Sequence, residues 1–90
     1  MSNMIIVRPD NINFNNEVKQ TSRVFYADTP SDLCNKIIEF YGLEKYAAHN
    51  LLEIWSGRFG MSNRKRIDEM NTFPPNCDEA WLRLSFRGQM

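Results

Sequence analysis

A chain of 90 residues has room for one domain around a single core, and its 42% hydrophobic content, six Phe, three Tyr and two Trp included, is enough to fill that core and exclude a disordered chain. Eleven basic residues balance eleven acidic ones, which argues against a general nucleic-acid or membrane-surface binder, because such partners select a basic excess. The sequence has no apolar run of about 18 residues and no charged-then-apolar leader, so one soluble, cytoplasmic domain over residues 1–90 is expected.

Met4-Ile5-Ile6-Val7-Arg8 is a β-branched run stopped by Pro9-Asp10, and it reads as a first strand. Asn11 to Gln20 holds four Asn and only Ile12, Phe14 and Val18 as apolar residues, which suggests a hairpin loop. Ser22 to Tyr26 reads as a second strand. The next stretch, Asp28 to Gly42, is a helix with its punctuation. Thr29 suits the N-cap and Pro30 the first helical position, where a missing N–H costs nothing. Asp32, three residues on, can close a capping box and complements the helix dipole. Leu33, Ile37, Phe40 and Tyr41 form one apolar stripe, and Gly42 supplies the left-handed stop.

Leu43 to His49 is expected to be a connector with one helical turn, and Leu51 to Trp55 a third strand closed by Ser56-Gly57. Arg58 to Met70 reads as a loop plus a short strand, and Pro74-Pro75-Asn76 as a turn. From Ala80 to Arg87 the pattern is that of a half-buried strand: Ala80, Leu82, Leu84 and Phe86 alternate with Trp81, Arg83, Ser85 and Arg87.

Little in this chain carries reaction chemistry. His49 is the single histidine and no cysteine lies near it in sequence, so no four-ligand metal pattern can be written. Cys34 falls mid-helix and Cys77 belongs to no C-x-x-C pair; both are expected to be free thiols in a reducing compartment. Asp68-Glu69 and Asp78-Glu79 read as solvated loop charge, and Ser56-Gly57-Arg58-Phe59-Gly60 lacks the Lys-Ser/Thr of a phosphate loop. No catalytic residue, metal or cofactor is expected. Two cationic groups remain. Arg58, Arg64, Lys65 and Arg66 form a basic loop suited to a phosphate, nucleic acid or acidic partner, and a solvated loop is its plainer explanation. Lys19, Arg23 and Lys36 cluster around the second strand and the helix. If that strand is a sheet edge, its free backbone groups can pair with a partner's strand and these cations can steer an acidic one.

Strand, strand, helix, strand, an irregular stretch and a last strand returning beside the first make an α+β domain. It is a mixed sheet of four to five strands packed on one helix, the β-grasp or ubiquitin-like arrangement. Thr29 to Leu43 (T-P-S-D-L-C-N-K-I-I-E-F-Y-G-L), followed by Asn50 to Trp55 (N-L-L-E-I-W), resembles Ras-association domains and the ubiquitin-like first lobe of FERM domains. That resemblance implies a non-enzymatic module whose second strand pairs with the switch strand of a Ras-like small GTPase. Its contact residues would be Lys19, Arg23 and Lys36. One alternative is a non-conjugated ubiquitin-like adaptor, or a small viral or bacterial regulator or inhibitor, docking by an apolar patch at Trp81. Gly88 followed by Gln89-Met90 is not the terminal di-glycine that conjugation requires. Phosphate or nucleic-acid binding by the basic loop is the other alternative.

Overall fold

The computed structural model describes residues 2–58 and 60–85. In chain order these form strand β1 (Asn3–Pro9), helix α1 (Glu17–Gln20), strand β2 (Arg23–Ala27), helix α2 (Pro30–Tyr41), helix α3 (Glu44–Ala48), strand β3 (Leu52–Trp55), a 3₁₀ turn (Ile67–Glu69) and strand β4 (Glu79–Leu84). The continuation of the last strand through Phe86 and Arg87, and the tail at Gly88, lie outside the described residues.

The described strands make one mixed sheet in the order β2-β1-β4-β3. β2 runs antiparallel to β1, with Ile5 opposite Phe25 and Met4 opposite Tyr26. β4 returns parallel to β1, with Arg8 beside Trp81, and β3 is antiparallel to β4, with Trp55 opposite Trp81. A parallel central pair needs a crossover, and α2 lies within that crossover.

Strand alternation decides what the helix covers. Ile5, Val7, Phe25, Ala27, Leu52, Ile54, Ala80 and Leu82 are all buried on one face of the sheet. Against them α2 places Leu33, Ile37 and Tyr41, with Phe40 half-buried at the margin. Ile67, at the 3₁₀ turn, is fully buried in the same cluster. Burying each such side chain is worth about 1.5–3 kcal/mol before entropy is counted. The helix begins as its residues dictate. Thr29 Oγ1 accepts the Asp32 N–H, and Gly42 closes the helix at φ 69°, a conformation L-residues adopt only with strain. The capping box is displaced by one residue, because the Asp32 carboxylate accepts the N–H of Asp28 rather than that of Thr29.

Two expectations need correction. The Asn-rich segment is not simply a hairpin loop, because it contains α1, capped by Asn16 Oδ1 accepting from Val18 and Lys19 N–H. Four residues are too few to show a period, so only the cap and Glu17 in the first turn could have signalled it. In the stretch from Arg58 to Met70 the expected short strand shrinks to a single bridge between Trp55 and Arg66, followed by the 3₁₀ turn. At the end of β1, Pro9 has no N–H to give, yet the ladder to β4 continues. Asp10 N–H donates to the Leu82 carbonyl. Asn11 acts as a further rung, its Nδ2 donating to the Leu84 carbonyl (3.0 Å) and its Oδ1 accepting the Leu84 N–H (2.8 Å).

Urea unfolding should separate these contributions. Ile37→Ala, which opens a cavity in the core, should cost about 2–5 kcal/mol. Asn11→Ala, which strips two hydrogen bonds from one strand end, should cost about 1–2 kcal/mol.

Candidate functional site

The two edges of the sheet are not equivalent. The edge at β3 is closed by the segment that follows it. Ser56 N–H donates to the Lys65 carbonyl, Lys65 N–H to Ser56 Oγ, and Ile54 N–H to Asp68 Oδ1. Gly57 lets this segment approach: a Cβ there would sit 3.0 Å from the Arg64 Cβ, too close without a shift. Arg66 pins it. Its Nε and Nη2 grip both Asp68 oxygens at 2.8 and 3.1 Å, and Glu53 and Glu69 lie 4.0 and 3.8 Å away. Burial works against that charge, but the Asp68 bond and the three carboxylates outweigh it and hold the guanidinium above its ordinary pKa.

The edge at β2 is the other end of the sheet, and no strand covers its outer side among the described residues. Lys36 Nζ donates to the Tyr26 carbonyl and pairs with Asp32 at 3.3 Å. That places the Tyr26 carbonyl on the open side of β2. By the alternation of an antiparallel ladder, the backbone groups of Val24 share that side. Lysine over an exposed edge is a familiar guard against unwanted strand pairing, and an exposed side chain can swing away at little cost. Beside this edge a groove of about 630 Å³ opens between β2 and α2, lined by Phe25, Asp32, Asn35, Lys36, Glu39 and Phe40. Arg23 lies on the helix-facing side of β2, its guanidinium 4.1 Å from the Phe40 ring centre. Lys36 lines this groove and Arg23 stands over Phe40 at its border, whereas Lys19 sits on α1, before the strand begins.

The opposite face of the sheet, which turns away from α2, carries Trp55 and Trp81 side by side. Arg8 and Arg58 stand 5.4 and 5.9 Å from the Trp81 ring, and Arg64 and Arg66 stand 3.8 and 6.0 Å from the Trp55 ring. The basic loop is therefore not a single solvated cluster: Arg58 and Arg64 are stacked on tryptophan, and Arg66 is held by carboxylates. Lys65 is exposed. Interleaved arginine and tryptophan had no sequence signal, since the partners lie on different strands and a loop.

Both thiols are chemically quiet. Burial, with the Asp68 charge adding to it, pushes Cys34 from its ordinary 9.0 up to about 11, and burial raises Cys77 as well. The Tyr41 hydroxyl, buried without a hydrogen-bond partner among the described residues, is likewise raised by burial. No described helix is long and apolar enough to cross a membrane. No protein-family model, no curated protein and no solved structure matches the chain.

Two outcomes test these arrangements. A thiol whose pKa is higher folded than unfolded stabilises the fold while it is protonated. Cys34 therefore contributes fully below 9.0 and loses that contribution as pH climbs toward about 11. Urea midpoints should fall across that window, less steeply in Cys34→Ala. Arg66→Lys keeps the charge but loses the planar fork that grips Asp68, and should destabilise the chain by about 1–3 kcal/mol in the same assay.

Proposed function

We propose that the chain is a β-grasp protein-interaction module, without catalytic activity, that accepts an extended segment of a partner along the free edge of β2. The inequality of the two edges is the observation that carries this reading: β3 is sealed by its own following segment, and among the described residues β2 is guarded only by Lys36. A segment added there would gain backbone hydrogen bonds from Val24 and Tyr26 and would lie next to the groove against α2. The strand order, with a parallel central pair and one main helix, supports the β-grasp assignment. Arg23 and Lys36 flank the groove and favour an acidic segment, which is where the resemblance to Ras-association domains points to a Ras-like small GTPase. Lys19 has a smaller part in this reading, because it lies outside the strand.

The test is a backbone amide titration with a Ras-family GTPase loaded with GDP or with a GTP analogue. Shifts across residues 22–27 and α2, with the GTP analogue only, are the expected result. Arg23→Glu and Lys36→Glu should each weaken binding about tenfold, which is ~1.4 kcal/mol. Val24→Pro removes an N–H that faces away from β1, so it should leave the fold intact and abolish strand addition. Shifts elsewhere on the surface, or full binding by Val24→Pro, would overturn the edge mechanism.

A further inference from the structure

We infer that β2 pairs with β2 of a second copy of this chain, joining the two sheets across a two-fold axis at Phe25. The inference rests on the free edge proposed above and makes a second copy its occupant when no other segment is bound. Hydrogen bonding inside the sheet fixes which groups are free. Ile6 N–H donates to the Asp78 carbonyl, so Ile6 turns its backbone to β4, and its neighbours Ile5 and Val7 turn theirs to β2. Ile5 and Val7 lie opposite Phe25 and Arg23, which leaves the backbone groups of Val24 and Tyr26 pointing outward. Rotation about Phe25 sets Val24 against Tyr26 of the second copy, and Tyr26 against its Val24, each pair exchanging both N–H···O bonds. Side chains match under the same rotation. On the uncovered face Tyr26, Val24 and Met4, which lies opposite Tyr26 on β1, are 56%, 45% and 53% exposed. Pairing runs them into one apolar row: Met4, Tyr26, then Val24 and Ile6 of the second copy.

On the helix side, charge selects a copy. The Asp32 carboxylate accepts the Asp28 N–H, Lys36 Nζ donates to the Tyr26 carbonyl, and Arg23 stacks on Phe40. Four helical residues rise about 6 Å and two strand residues about 6.6 Å, so helix and edge keep step. Asp32 is thus level with residue 28, Lys36 with residue 26 and Glu39 with residue 24, and all three line the groove. The two-fold exchanges residues 24 and 26, and likewise 22 and 28. Lys36 then faces Glu39 of the second copy, Asp32 faces its Arg23, and symmetry repeats both contacts. Arg23 and Glu39 are exposed and have no ion-pair partner among the described residues. Lys36 and Asp32 give up their own pair for the new ones. A segment of a single sign would meet only half of this set; a copy meets all of it. The lysine that guards the edge of one chain becomes the clasp between two.

Sedimentation equilibrium of the full chain over a concentration series tests the pairing. A reversible monomer–dimer equilibrium is expected. Lys36→Glu and Glu39→Lys each set like charges face to face and should weaken the dimer about tenfold. The double variant Lys36→Glu/Glu39→Lys restores opposite charges and should return to within about threefold of the unaltered chain. Val24→Pro should stay monomeric. A monomer at every concentration, assemblies that grow beyond the dimer, single variants that dimerise fully, or a double variant no better than the singles would each overturn the inference. The GTPase titration reads separately. A monomer that binds the GTPase through β2 keeps the edge reading and sinks the second copy, whereas a dimer with no GTPase response does the reverse.

Discussion

The pairing of β1 with β4 is the constraint on which the rest of this structure depends. These are the first and last strands described, and they lie side by side at the centre of the sheet. Because they run parallel, the chain must cross the sheet between them, and it does so on one side, where α2 lands on Leu52, Ile54, Ala80 and Leu82. Among the described residues, the side that the crossover does not visit is left to side chains alone. The uncovered face and its arginine-stacked tryptophans follow from that choice of side.

The same constraint sets the character of the two edges. With β1 and β4 interior, β2 and β3 must be the edges. β3 has a long following segment that folds back along it, and Arg66, Asp68 and Ser56 turn that segment into a substitute strand. β2 is followed within a few residues by the cap of α2, so no chain is spare to cover it. A lysine in the second turn of α2 has to serve instead. The contrast between sealed and guarded edges is thus a matter of connection length rather than strand composition.

Local signals in the sequence were sufficient wherever one element carries its own pattern. Thr29, Pro30 and Gly42 frame α2 as expected, and the alternation of Ala80 and Leu82 with Trp81 and Arg83 reports correctly which faces are inward. The strand at Arg23 to Ala27 differs from its expected span by a single residue at each end. What could not be read was anything that depends on partners far apart in the chain. Asn11 looks like a loop residue until Leu84 comes beside it. Arg66 looks like one member of a basic run until Glu53 and Asp68 surround it. Arg23 was visible as a cation, but its position over Phe40 depends on the register of β2, and a slip of one residue would have turned it to the other face. For the candidate site, the position of Arg23 and Lys36 near β2 and α2 was legible from the elements the sequence predicts; the stacking on tryptophan was not.

The central position of β4 also governs the order in which the molecule can assemble. Arg8 and Glu79, joined by an ion pair, are 71 residues apart in the chain, so the middle of the sheet depends on closing a long loop. Until β4 arrives, the β1–β2 hairpin and β3 have no strand between them, and both present apolar surface and unpaired backbone. High contact order of this kind slows folding relative to helical domains of equal size. A nascent chain that has not yet released β4 would therefore be a sticky half-sheet. The last strand to appear is the one that turns it into a single cooperative unit.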